Sequence, residues 1–258
     1  MEWPRIKNIL IVVLIIINIF LIVMISFVND GNRKVNSTSF DETLKILKMN
    51  GISVSCSTDI KLSKMAALTL TYDEKNGTTF YKTGSNNYHE LNSKSAKKIA
   101  DSFIKKHKAF DDIADDLVFE TAKPVESGNE IMTYSVSYGG YFNDYRLTDC
   151  YLICYVTPFG VSSVERHWAK ATESTEAFEL VPLSQALLTC IAEPYDNENT
   201  IKNQNIIDIS IVYSVATQIG ENVSSDTAFP TWKITTDQGI VNRVPAYKFT
   251  DQEKENWL

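Results

Sequence analysis

Twenty consecutive residues near the N-terminus, Ile9 to Val28, read ILIVVLIIINIFLIVMISFV, broken only by Asn18 and Ser26. At 1.5 Å of rise per residue such a helix spans a hydrocarbon core of about 30 Å. No polar face runs along it, which argues against a buried core helix. A secretory signal would be shorter in its apolar part and end in a small-x-small cleavage site. Here the run ends Ser-Phe-Val-Asn-Asp. The segment is therefore expected to stay attached as a single transmembrane helix over 9–28, behind a short cytoplasmic N-terminus (1–8). Arg5 and Lys7 precede the span and Arg33 and Lys34 follow it, so the Lys/Arg bias is nearly flat. Long C-terminal domains cross largely regardless of charge. The expected location is the cell membrane, single-pass, with the C-terminal domain outside the cell.

Asn18 falls mid-span, where an amide gains by bonding to another helix for about 0.6–2 kcal/mol. It is a candidate partner contact.

After a polar linker (29–38), the remaining 220 or so residues suffice for one large or two small domains. A 44% hydrophobic, 22% charged composition predicts a folded chain. The formal charge of −7 excludes nucleic acid as a partner, since phosphate attraction needs a basic face.

A pattern of one helix followed by several strands recurs, which predicts an α+β fold of repeated helix-plus-antiparallel-sheet units at 39–90, 91–175 and 176–258. In the first, Asp41 and Glu42 favour a helix start, Leu44 and Leu47 its apolar stripe, and Gly51 its stop. Strands near 63–72 and 78–82 flank Asn76-Gly77, a hairpin signal. In the second, Ser93 or Ser95 caps a helix with Ala96, Ile99, Ala100, Phe103 and Ile104 on its buried face. The third starts its helix near Pro182. It continues with Ile207, Ile209, Ile211, Tyr213 and Val215 alternating against Asp208, Ser210 and Ser214.

No catalytic constellation stands out, and the chain is expected to be no enzyme and to need no cofactor or metal. His89, His107 and His167 have no carboxylate or cysteine at triad or ligand spacing, and His107 and His167 are expected to be solvated. Asp111-Asp112 and Asp115-Asp116 lack the Gly and Glu of an EF-hand and read as a solvated acidic loop. Cys56, Cys150, Cys154 and Cys190 read as small buried hydrophobes. Tyr141, Phe142 and Tyr145, in a Gly-flanked turn, are binding candidates, although sheet packing accounts for most aromatics nearby.

Met1-Glu2-Trp3 followed by Arg5, Lys7 and the Ile-rich span resembles the opening of the YycI (WalI) family. Further similarity lies in Asn50-Gly51-Ile52, in Tyr141-Phe142-Asn143-Asp144-Tyr145-Arg146-Leu147 and in Phe229-Pro230-Thr231-Trp232-Lys233-Ile234, the last also resembling the closing strands of PepSY-like domains. The resemblance implies an accessory regulator of a two-component system governing cell-wall metabolism, without enzymatic activity. Its implied partners are a sensor histidine kinase and a YycH-like sister protein, met through the transmembrane helix and the ectodomain. Trp3 and Asn18 join the aromatic trio as partner-binding candidates. The alternative is an exported PepSY-type module that inhibits or chaperones a protease or wall hydrolase.

Overall fold

A computed structural model describes residues 40–60, 64–82, 88–125, 132–174, 176–192, 203–215 and 224–247. The expected span at 9–28, the linker at 29–38, Trp3 and Asn18 lie outside the described residues. Among the described residues no helix is long and apolar enough to cross a membrane.

The expected fold class does not hold. The described residues are mostly β: one hydrogen-bonded network of 11 strands carries helices α1 (40–49), α2 (Ser93–Lys106) and α3 (Leu183–Ala192). The strands do not close into separate units because most pair across the expected boundaries.

One half of the network contains β3 (Gly77–Phe80), β4 (Val118–Val125), β5 (Thr133–Phe142), β6 (Tyr145–Thr157) and β7 (Gly160–His167). The other contains β1 (Ser53–Val54), β2 (Leu68–Tyr72), β8 (Ala169–Glu173), β9 (Asn205–Val215), β10 (Ser225–Thr236) and β11 (Val241–Pro245). The halves join where β6 meets β9 in parallel, Arg146 beside Val212 and Leu147 beside Tyr213.

They join again at a bent ribbon. β2 pairs with β8 from Leu68↔Glu173 to Tyr72↔Ala169, and β3 pairs with β7 from Gly77↔Arg166 to Phe80↔Ser163. The two pairs are thus one antiparallel ribbon, interrupted where residues 73–76 face only His167 and Trp168. The Asn76-Gly77 signal therefore does not make a β2–β3 hairpin. Asn76 instead turns its side chain onto Trp168, accepting from its N–H at 2.8 Å and donating to its carbonyl at 3.0 Å. Since β2 also pairs with β10, β10 with β9, β9 with β6 and β6 with β7, the hydrogen-bonded path runs from β3 round to β8, and the chain at 167–168 brings its two ends together.

Local signals hold better. Gly51, at φ +75°, ends α1 in a Schellman turn: its N–H donates to Lys48 and that of Ile52 to Leu47. A Cβ there would lie 2.1 Å from Asn203 Oδ1. Asn92, rather than Ser93 or Ser95, caps α2, in a reciprocal box with Ser95. The apolar face of α2 buries Ala96, Ala100 and Ile104 and covers β4 to β7. Ala186, Leu187 and Cys190 of α3 are buried on the other half, where the Trp232 indole, fully buried, donates to the Val181 carbonyl at 3.0 Å.

In β9 the alternation slips. A bulge opposite Thr235 and Thr236 puts Ile206 in the core and leaves Ile207 48% exposed, so Ile207 does not share the buried face of Ile209 and Ile211.

Candidate functional site

The β5–β6 hairpin turns at Asn143 and Asp144, both with positive φ, which is what a two-residue type I′ turn demands and what Asn and Asp tolerate. Phe142 and Tyr145 flank the turn as a cross-strand pair, and each sets its ring edge-on to Tyr213 of β9. Burial pushes the Tyr213 hydroxyl up to about 12, so it stays protonated and donates to the Ala66 carbonyl. These contacts tie the hairpin tip to the second half of the sheet.

Below the tip the register breaks. Gly140 pairs with Leu147 but Gly139 pairs with Tyr151, so Thr148, Asp149 and Cys150 bow out of the ladder. The bow fits because Gly140 carries no side chain: a Cβ would lie 2.8 Å from Cys150 Cβ and 3.1 Å from the Trp168 ring. Arg146 threads the bow. Its guanidinium donates to the carbonyls of Leu147 and Cys150, the latter at 2.8 Å, and ion-pairs with Glu120 of β4. Asp149 accepts from the Thr148 hydroxyl at 2.7 Å and from the Val215 N–H at 3.2 Å, closing the bow onto β9. Asp226 lies close enough to feel the Asp149 charge; burial foremost, and that charge last, push its carboxyl above the usual range.

Tyr141 is what this scaffold displays. It is 40% exposed, with the Arg146 guanidinium 5.8 Å from its ring centre, and it lines two clefts. One, of about 590 Å³, has Asp73, Asp112 and Asp116 together with Phe142, Trp168 and Lys170. The other, of about 380 Å³, has Arg146, Lys233 and Arg243 with Glu120 and Asp144. An exposed aromatic between two clefts lined by charged groups can anchor a polar, charged partner surface.

The aromatic trio thus comes together at one hairpin tip, with Phe142 and Tyr145 packed and Tyr141 displayed, whereas Trp3 and Asn18 lie outside the described residues. Arg146 and Lys233 entered only as members of the resembling stretches, and Glu120 and Arg243 carried no signal beyond their charge, because β4, β10 and β11 reach the hairpin through tertiary pairing.

Three expectations about polar groups are corrected. His107 is half-buried rather than solvated, its ring stacked 3.9 Å from Phe103 and its Nδ1 bonded to the Phe103 carbonyl. His167 is likewise half-buried, stacked on Tyr151 and bonded through Nδ1 to the Asp149 carbonyl. Asp112 is no free acidic-loop residue. Together with Asp73 it holds Arg166, which is only 4% exposed, at 2.8 and 2.5 Å. Arg166 also donates to the Ala109 carbonyl at 3.0 Å, so it pins the turn after α2 to the bent ribbon. Cys150, Cys154 and Cys190 are buried and Cys56 half-buried, all as free thiols.

No family model and no curated protein matches the chain. Among solved structures it is similar to an uncharacterized protein from Eubacterium rectale, at 9% identity, covering 85% of this chain and 82% of that one with a TM-score of 0.39. A likeness that distant carries no argument about function.

Proposed function

We propose that the chain is a membrane-anchored accessory regulator of a two-component sensor histidine kinase that controls cell-wall metabolism. Residues 9–28 tether it, the C-terminal domain lies outside the cell, and it works by protein contact rather than by chemistry. The observation that carries the contact reading is Tyr141, displayed at 40% exposure on a hairpin braced by Tyr213, Arg146 and Glu120. A rigidly held tyrosine gives a partner large contact area at little ordering cost. The kinase reading rests on the YycI-like opening and on the Tyr141–Leu147 stretch.

A regulator shifts a kinase between two states only by touching them differently. The tether supplies one such contact through Asn18 and the hairpin a second, toward a YycH-like sister protein.

The test separates the two contacts. In cells, 9–28 is exchanged for an unrelated membrane span, and separately Tyr141 is changed to Ala, with kinase output and co-purified partners measured for each. Loss of kinase control on exchanging the span, and loss of the sister protein with Tyr141→Ala, are the expected results. Unchanged output after the exchange rejects the tether as a contact, and unchanged capture rejects the hairpin. Recovery of a peptidase or wall hydrolase in place of the kinase favours the inhibitor or chaperone alternative.

A further inference from the structure

Lys233 and Arg243 stand directly opposite each other on β10 and β11. They occupy the outward face, alternating with buried Trp232, Ile234, Asn242 and Val244. Like charges so placed repel. Among the described residues neither has an acidic group within ion-pair distance. The acids nearby are otherwise disposed: Glu120 pairs with Arg146, Asp208 takes the Ser210 hydroxyl at 3.4 Å, and Asp144 sits in the hairpin turn. Ser210, in turn, lies beside Lys233 on β9.

All three cations, Arg146, Lys233 and Arg243, line the same cleft of about 380 Å³, against the two carboxylates of Glu120 and Asp144. The cleft is therefore positive by one charge in a chain whose formal charge is −7. Its volume falls in the range of small-ligand sites.

We propose that this cleft binds a phosphodiester, its single negative charge held between Lys233 and Arg243 and its substituent lying on the Tyr141 ring. The Arg243 fork matches two non-bridging oxygens, and Lys233 supplies a point charge beside it. A single charge neutralises the cleft. A phosphate monoester, which carries closer to two charges, leaves the cleft with an excess of negative charge. The proposal stands on the charges of the cleft and not on the kinase-regulator reading, although both use Tyr141.

The test uses the full-length chain in a sugar-headed, phosphate-free detergent. Glycerophosphoglycerol is titrated as a soluble diester, and phosphatidylglycerol is added to the micelles as its lipid-borne form. Binding is followed by calorimetry for the first, and for both by the melting midpoint against sodium chloride at matched ionic strength. The expected result is a midpoint raised beyond the chloride control by at least one form. Lys233→Ala should weaken binding about tenfold, the loss of one charge-assisted hydrogen bond, and Arg243→Ala, which removes a two-pronged contact, by at least as much. Lys170→Ala, in the neighbouring cleft, should leave it unchanged. Lys233→Glu should abolish binding without lowering the midpoint, since the new carboxylate faces Arg243. A response to the soluble diester identifies a free ligand, and one confined to the lipid identifies a headgroup. Midpoints no higher than with chloride for both forms, variants that bind like the parent, or acetate binding as well as the diester would each overturn the proposal.

Discussion

The side-chain amide of Asn76 replaces a strand partner for Trp168, bonding both the N–H and the carbonyl of that residue where the β2–β3 ribbon bends against β7–β8. Without it, the Trp168 N–H loses its protein partner, while its carbonyl keeps the Asp73 N–H at 3.1 Å. Asn76→Ala should cost about 1–3 kcal/mol of stability. Asn76→Asp, which keeps the acceptor and loses the donor, should fall between. Urea unfolding with constant slope checks both.

The Arg166 clamp makes the fold acid-sensitive. The hydrogen bond from Arg166, aided by Lys75 and opposed by burial, holds the Asp112 carboxyl well below the usual carboxylate range. A carboxyl depressed in the folded state stabilises it wherever the unfolded carboxyl is ionised, above about pH 4, and that contribution fades as pH falls toward the folded value. Asp112→Asn should therefore be less stable than the parent at pH 7, and the two should converge as pH drops from about 4 toward 2. Unfolding midpoints across that window give the comparison; a pH-independent gap would remove Asp112 as the cause.

Gly140 is the narrowest point beneath the hairpin. A methyl group there meets Cys150 and the Trp168 ring at 2.8 and 3.1 Å, neither the free end of a flexible chain. Gly140→Ala should cost about 1–3 kcal/mol by overpacking. Because Cys150 belongs to the bow that Arg146 threads, the same change should raise hydrogen exchange at 146–150 more than in α2, which mass spectrometry can resolve.

The thiols should react in a fixed order. Burial pushes Cys150 up to about 11 and Cys154 and Cys190 up to about 12, while Cys56 is raised less and is only half-buried. The thiolate is the reactive form. Iodoacetamide at pH 8 should therefore modify Cys56 first and leave the other three until denaturant is added. Peptide mapping of a timed reaction shows the order.

What could be read from the chain beforehand was local. Gly51 as a helix stop and the apolar face of α2 both depend on neighbours within a few residues, and both occur. The fold class failed because the decisive pairings are long-range. Tyr72 of β2 lies beside Ala169 of β8, and Leu68 lies beside Ala228 of β10, so strands that look like members of three units share one sheet. Asn76-Gly77 misled because its side chain was needed across the ribbon, and Ile207 because a bulge is invisible to strict alternation. At the site, Tyr141, Phe142 and Tyr145 were legible as a cluster. The charges beside them were not: Lys233 and Arg243 come from β10 and β11 and reach the hairpin only through β9.

Pairing between strands so far apart in the chain has a cost during synthesis. β2 is made early, but β10, which covers one of its edges, is more than half the chain away. At about 5–20 residues per second, β2 waits on the order of ten seconds for that neighbour. Throughout, Leu68 and Leu70, both fully enclosed in the finished protein, sit on an open strand edge of the kind other chains add to. A holding chaperone that covers the edge at 68–72 would let go when β10 arrives.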